Sequence, residues 1–325
     1  MIHYLIRRTA YSLLVLLGVN LVTFFLFFSV NTPDDMARMQ LGDRRVTADA
    51  VAQWKAARGY DKPLYFNDHA DGLGRLTDTV FFESSAKLAR FDFGQTNDGR
   101  EIRHEVARRI GPTVGVAAPV FIIVIGVSIV LGLGMVMFRQ TALDAAAVVA
   151  LVVLMSISSL FFIIAGQWVF AVQMRVMPLS GYAPPPGTFK FLVLPVVVAV
   201  LAQIGPNSRL YRTIFLEELG KDHVRTARAK GLSEMTVLLR HVLRNSLIPI
   251  ITSAGLLLPP LFAGSILIET FFAIPGLGMF TIDGINYQDF NIVRAMVFLG
   301  SFLYVATYLL TDFAYAWSDP RVRLQ

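Results

Sequence analysis

Long apolar runs alternate with short charged stretches along most of this chain. The alternation predicts six membrane-spanning helices, at about 9–30, 113–138, 145–172, 189–206, 247–272 and 292–317. A helix of about 20 apolar residues crosses the roughly 30 Å hydrocarbon core of a bilayer. Hydrophobic residues make up 55% of the 325 residues, more than is usual in a soluble domain. We therefore expect an all-α polytopic membrane protein with six transmembrane helices.

The stretch between the first two apolar runs is polar. Residues 31–110 carry 13 basic and 13 acidic side chains, and we expect short helices at 48–58 and 99–109. Long loops cross the membrane largely regardless of their charge. We interpret 1–30 as a cytoplasmic N-terminus with the first span, 31–112 as an extracytoplasmic insertion, and 113–325 as a core of five helices.

The short loops set the predicted orientation. Eight of the 29 Lys and Arg residues lie between the fourth and fifth runs, Arg139 lies between the second and third, and Arg321 and Arg323 follow the sixth. The loop after the fifth run has no Lys or Arg. Because cytoplasmic loops are enriched in basic residues, both termini and the segment 208–246 are predicted to be cytoplasmic.

This charged segment, 208–246, has the local pattern of two helices separated by a break. Gly231 permits the left-handed conformation that ends helices, and Ser233 is a favourable N-cap for the next helix. After the break an apolar face is predicted, because hydrophobic residues recur at helical spacing: Met235, Leu238, Leu239 and Val242. Docking on anionic lipid is one interpretation, but the break and four acidic residues favour docking on a protein. Those acids are Glu217, Glu218, Asp222 and Glu234.

Catalytic and cofactor motifs fail on their spacing. The sequence has no Cys, and the string beginning His104-Glu105 has Arg at position 108, where a zinc-binding HExxH helix needs its second His. No Gly-rich loop ends in Gly-Lys-Ser/Thr, so ATP, if it is used, must bind another subunit. The basic residues lie in loops beside apolar runs, which argues against nucleic-acid binding.

Five stretches of the sequence resemble one family. Residues 219–233 (LGKDHVRTARAKGLS) and 240–249 (RHVLRNSLIP) resemble the cytoplasmic segment of inner-membrane permeases of bacterial ABC importers, in particular the dipeptide/oligopeptide branch. Residues 269–272 (ETFF), 274–278 (IPGLG) and 319–323 (DPRVR) support the resemblance. Relatives often carry a Pro in the third span, where this chain has Ser-Ile-Ser-Ser at 156–159.

The resemblance implies a type I ABC importer permease that forms half of a translocation pathway for peptides. It implies a bacterial inner-membrane location, a second homologous permease, two ATPase subunits or domains, an extracytoplasmic substrate-binding protein and surrounding membrane lipid. No cofactor is expected on this chain, since ATP and Mg²⁺ belong to the ATPase subunits. No metal or catalytic residue is expected either.

The resemblance also assigns candidate residues. The coupling contact with the ATPase is expected at Asp222, Arg225, Thr226, Ala227, Arg228, Ala229, Lys230, Gly231, Leu232 and Ser233. A pathway or gate is expected at Glu269, Pro275, Gly276 and Gly278. Import of nickel or another small solute is the alternative within the family. Two alternatives lie outside the family. An intramembrane hydrolase would need a His in the spans to activate a Ser, and this sequence has none there. The charged segment argues against a channel without ATPase partners.

Overall fold

The computed structural model describes residues 2–42, 47–184, 187–262 and 266–318. Within them the chain is helical, and the one β pairing is an isolated bridge between Gln95 and Glu101. Five helices are long and apolar enough to cross a membrane, or six if one bent pair counts as a span. The predicted all-α polytopic class is confirmed. The motif at 319–323 lies outside the described residues.

Fifteen α-helices and two π-helical segments make up the described chain. Their order is α1 (Ile2–Val30), α2 (Pro33–Leu41), α3 (Ala48–Arg58), α4 (Gly74–Thr77), α5 (Val80–Ala89), α6 (Ile102–Met137), α7 (Ala142–Ser156), α8 (Ser159–Gly166), a π-helical segment (Gln167–Gln173), α9 (Thr188–Leu219), α10 (Asp222–Ala229), α11 (Glu234–Thr236), a second π-helical segment (Val237–Leu243), α12 (Arg244–Phe262), α13 (Ile266–Phe271), α14 (Leu277–Asn286) and α15 (Phe290–Ser318).

The third predicted span, 145–172, is not one continuous helix. The helices Ala142–Ser156 and Ser159–Gln173 meet at an angle of 90°. At the break Ile157 is extended, with φ −89° and ψ 130°, and the Ser158 hydroxyl accepts a hydrogen bond from the Leu160 backbone N–H. A serine cap therefore starts a new helix inside an apolar run without a proline.

Two other helices, α6 and α9, extend beyond the bounds that the sequence pattern predicts. The helix expected at 99–109 is the first part of α6, which continues through Pro112 and Pro119. The fourth span, predicted to end at residue 206, continues as α9 to Leu219. Proline is tolerated in long membrane helices where neighbouring groups satisfy the freed backbone carbonyls. The helix predicted at 48–58 matches α3.

The described chain divides into two compact units, the first made of Arg109–Met279 and the chain from Ala306. This unit has two apolar cores. One joins α6, α8, α9 and α13 around Val120, Ile163 and Leu194, all at most 1% exposed. The other joins α9 to α10 and the second π-helical segment around Tyr211, Phe215 and Val242, all 0% exposed.

The second unit contains Ile2–Arg108 and Phe280–Val305. Its core is aromatic, with Phe24 and Phe28 of α1 packed at a centroid distance of 4.3 Å. The Asn20 side chain donates a hydrogen bond of 2.6 Å to Ser85 on α5. The rest of α1 exposes large apolar side chains, including Leu13, Leu14 and Leu17. An apolar helix surface of this kind belongs against lipid or another apolar helix.

Candidate functional site

The charged segment folds as a helical elbow, which we define as α10, the turn at 230–233 and the helix from Glu234 to Leu243. Gly231 is left-handed with φ +76°, and the Ser233 hydroxyl accepts a hydrogen bond from the Thr236 backbone N–H. The predicted break and its cap are therefore confirmed. Both follow from local chemistry, since Gly adopts positive φ at little cost and Ser satisfies a free N–H at a helix start.

The buried face of the elbow differs from the predicted one. Val237, Leu238 and Val242 are at most 3% exposed, whereas Met235 and Leu239 are about half exposed. The chain is π-helical over Val237–Leu243. A π-helix is wound more widely than the α-helix assumed by the i, i+3, i+4 pattern. Of the predicted apolar face, Leu238 and Val242 are therefore buried and Leu239 is not; Met235 is also exposed but precedes the π-helical segment, in α11.

The elbow is attached to the end of α9 through an apolar contact. Val224 and Ala227 of α10, 0% and 3% exposed, belong to the same core as Tyr211 and Phe215 of α9. Ala227 is thus covered within the chain. Arg228 is partly buried, and the other eight proposed coupling residues are exposed: Asp222, Arg225, Thr226, Ala229, Lys230, Gly231, Leu232 and Ser233.

Ion pairs hold the elbow in shape. Arg228 donates two hydrogen bonds to Glu234, at 2.7 and 3.2 Å, and so links the two helices across Gly231. The Glu218 carboxylate at the end of α9 is 5% exposed and lies 3.1 Å from the His223 ring. Lys221 also pairs with Glu218. The other charges of α10, Asp222 and Arg225, lie 3.5 Å apart and are both highly exposed, so a partner can reach them.

A buried ion pair joins α9 to α7 beside this core. The Arg212 guanidinium donates to both carboxylate oxygens of Asp144, at 3.0 and 2.8 Å, and Asp144 is 7% exposed. Helix α6 approaches the same turn of α9, since a Cβ added to Gly132 would lie 3.2 Å from the Arg212 backbone nitrogen. Such bidentate pairs fix geometry as well as charge. Sequence reasoning did not identify Asp144 and Arg212 as partners.

The second candidate site is a buried carboxylate enclosed by a glycine-rich turn. Glu269 is 1% exposed and accepts hydrogen bonds from the Thr113 hydroxyl at 2.8 Å and the Met279 backbone N–H at 3.0 Å. The Thr113 hydroxyl in turn accepts from the Leu277 backbone N–H at 2.9 Å. Glu269 and Thr113 also line a cavity of about 20 Å³.

The turn at 274–278 lies directly on this carboxylate. A Cβ at Gly276 would lie 2.5 Å from the Glu269 carboxyl carbon, and one at Gly278 would lie 3.0 Å from its Oε2. The structure therefore brings together three of the four residues predicted for a pathway or gate, with Pro275 beside them in the turn. Sequence reasoning missed Thr113, which it treated only as the start of an apolar run.

Fold and site define a polytopic helical membrane protein with an exposed charged elbow. The chain belongs to the family described as "Binding-protein-dependent transport system inner membrane component", whose model matches residues 115–324. Residues 1–117 match the N-terminal model of the same component. The expected permease family is confirmed, and the chain is a transport subunit rather than an enzyme.

Similar proteins match the chain along almost its whole length. A Brucella abortus protein, provisionally named a peptide transport system permease protein, is 32% identical, with 98% of each chain covered. The dipeptide transport system permease protein DppB of Bacillus subtilis is 30% identical and covers 100% of this chain and 99% of its own. The di/tripeptide transport system permease protein DppB of Pseudomonas aeruginosa is 28% identical, with 100% of each covered.

Proposed function

We propose that this chain is the permease subunit of an ATP-driven importer and forms half of the pathway for peptides delivered by an extracytoplasmic binding protein. The names of the three relatives support peptides as the substrate class. The observation that carries the coupling role is the elbow, which presents exposed charges outward and packs on α9 through Val224 and Ala227.

We infer the remaining subunits from the family and from the absence of a nucleotide-binding motif in this sequence. It has no loop for nucleotide phosphates, so ATP and Mg²⁺ would bind two partner ATPase subunits or domains. A second homologous permease would supply the other half of the pathway. The complex would lie in a bacterial inner membrane, with both termini and the segment 208–246 cytoplasmic and residues 31–112 extracytoplasmic.

Rigid attachment of the elbow gives the proposed mechanism. When the ATPase subunits close on ATP, they would displace α10 together with its apolar contact to α9. The bidentate Arg212–Asp144 pair would carry that displacement from α9 to α7. Packed interfaces of this kind move as units because their cores are close-packed. Closure would open the pathway towards the binding protein, and hydrolysis would reset it.

The first test changes the exposed face of α10. Arg225→Glu reverses a charge whose side chain is 73% exposed and lies 3.5 Å from Asp222. Because exposed ion pairs contribute little stability, the fold should change little. The chain is co-expressed with its neighbouring permease and ATPase genes, purified through the ATPase, and reconstituted to measure ATP-dependent uptake of labelled Ala-Ala. We expect reduced co-purification and at least tenfold slower uptake. Arg90→Glu, an equal charge change at an exposed residue of the second unit, should leave both unchanged.

A second variant changes the shape of the elbow. Gly231→Val places a β-branched residue at φ +76°, which Val rarely adopts, although no other group lies within 4 Å of the added Cβ. The turn should rearrange and ATPase binding should weaken. If both Gly231→Val and Arg225→Glu assemble and transport like the wild type, the elbow is not the coupling element. If the complete wild-type complex takes up no peptide, the proposed function is wrong.

A further inference from the structure

A polar cavity of about 460 Å³ lies within the second unit. We call it the Arg294 cavity. It is lined by the end of α3, by α5, by the loop at 92–99 and by the first turns of α15. Its volume falls within the range of small-molecule sites, roughly 300 to 1,000 Å³. It is separate from the elbow and from Glu269, and the proposed coupling mechanism makes no use of it.

Arg294 is one of three cations that line this cavity. Arg294, in the first turns of α15, is partly buried and lines the cavity together with Asn291. None of the carboxylates that the structure describes forms an ion pair with it. A planar guanidinium of this kind is suited to a carboxylate, which it can bind through two parallel hydrogen bonds.

The nearby carboxylates of the lining already have other partners. Glu83 pairs with Lys62, which also bonds Asp78 at 2.7 Å. Asp92 accepts a hydrogen bond of 3.1 Å from the Gly94 backbone N–H. Neither carboxylate forms an ion pair with Arg294, so the Arg294 guanidinium can bind an anion supplied by another molecule.

The remaining lining groups limit what that anion can be. Lys87 and Arg58 add positive charge, while Glu83 and Asp92 line the same cavity with negative charge. Phosphate would match the three cations of the lining but offers no positive group to Glu83 and Asp92. A ligand with one carboxylate and one ammonium group matches both signs. Gln95 and Asn97 supply side-chain amides for the amides between its ends. The Gln95 carbonyl and the Asn97 backbone N–H are already bonded to Asn291 and Asp289.

We propose that the Arg294 cavity binds a short peptide with free ends and that Arg294 holds the terminal carboxylate. The permease would then select its cargo for a free C-terminus in addition to the selection by a binding protein. This inference rests on the proposed function, because it takes peptides as the substrate class. It assigns recognition to the second unit and to residues distinct from the coupling elbow.

The test uses the full chain in lipid nanodiscs and equilibrium binding of labelled Ala-Ala-Ala. The same peptide with a C-terminal amide lacks the carboxylate and serves as the matched probe. We expect saturable binding of the acid at least tenfold tighter than that of the amide, as loss of a charged hydrogen-bond pair implies. This comparison needs no variant, so it does not depend on the folding of a mutant.

Variants then test whether Arg294 accounts for the tighter binding of the acid than of the amide. Arg294→Gln should weaken binding of the acid about tenfold and leave the amide unchanged, and Arg294→Lys should retain part of the preference. Arg90→Gln, an exposed arginine outside the cavity, should bind like the wild type. The melting temperature of each variant shows whether it is folded.

Several results would overturn the inference. They are an absence of saturable tripeptide binding to the wild type, equal affinity for acid and amide, or an unchanged preference in a folded Arg294→Gln chain. Displacement of the acid by millimolar phosphate but not by acetate would also contradict it. Peptide uptake by the assembled complex is measured in parallel. If uptake persists while the binding preference fails, this inference is wrong and the proposed function stands.

Discussion

Gly276 lies so close to the carboxylate of Glu269 that a single Cβ at position 276 would stand 2.5 Å from the Glu269 carboxyl carbon. That separation is below any normal carbon–carbon contact. Both residues are buried, and Glu269 is held in place by Thr113 and by the Met279 backbone N–H. The φ of Gly276 is not left-handed, so its backbone conformation does not require glycine. Glycine is required because a side chain would not fit between the turn and the carboxylate.

Gly276→Ala should destabilise the protein by displacing the turn from Glu269. Overpacking of a well-packed interior costs about 1–3 kcal/mol. We expect a lower midpoint in thermal unfolding of the purified chain in detergent. Gly126→Ala is the control, because nothing lies within 4 Å of a Cβ added there. Equal midpoints for Gly276→Ala and Gly126→Ala would show that the turn moves away freely.

Thr113→Val should destabilise the same site for a different reason. Valine keeps the shape of threonine but removes the hydroxyl that donates to Glu269 and accepts from the Leu277 backbone N–H. Leaving buried polar groups unsatisfied costs about 1–3 kcal/mol. Thr113→Ser retains the hydroxyl and should recover most of the loss in the same unfolding measurement. A Val variant as stable as the Ser variant would mean that these hydrogen bonds contribute nothing.

Sequence reasoning succeeds for the elbow because its signals are local. Gly231 and Ser233 each determine the backbone within a few residues, through positive φ and through a cap on Thr236. The helix Ala48–Arg58 has the predicted bounds, and the structure shows local signals at both ends: Thr47 caps its start and Gly59 ends it with φ +71°. Such features depend on backbone chemistry alone.

The paired residues of the sites are hidden from that reasoning because they are distant in sequence. Thr113 and Glu269 are 156 positions apart, and Asp144 and Arg212 are 68 apart. No periodicity links such positions, so only tertiary packing brings them together. The π-helical segment is a further case, because its wider turn moves Leu239 away from the buried side chains Leu238 and Val242.

Asp144→Ala should be strongly destabilising because it leaves the Arg212 guanidinium without its anion. Breaking a buried ion pair by removing one partner costs about 3–5 kcal/mol. The double variant Asp144→Leu with Arg212→Met should lose less stability than the single one, since no uncompensated charge remains. Thermal unfolding of the three chains measures the difference.

The control for Asp144→Ala is Asp222→Ala. Both acids lie in the first turn of a helix, but the Asp222 side chain is 96% exposed. We expect only a small loss of stability at Asp222, from the helix dipole and from its exposed ion pair with Arg225. A double variant less stable than Asp144→Ala alone would contradict the buried-pair explanation.

Acid should weaken the second unit through Lys62, which binds both Asp78 and Glu83. The hydrogen bond from Lys62 holds the pKa of Asp78 below its ordinary value, which is about 3.9. A lowered folded-state pKa contributes stability that is present above the unfolded value and is lost as the pH falls through the folded one. As the pH falls below about 4, the unfolding midpoint of the wild type should therefore fall.

Lys62→Met tests this pairing, because it removes the charge that lowers the pKa of Asp78 and keeps most of the apolar side chain. The variant should have a lower midpoint than the wild type at neutral pH, and the difference should shrink as the pH falls below about 4. Lys55→Met is the matched control, since Lys55 pairs with the exposed Asp34, at 3.2 Å. A gap between Lys62→Met and wild type that stays constant with pH would show that packing, and not the ion pair, accounts for the loss.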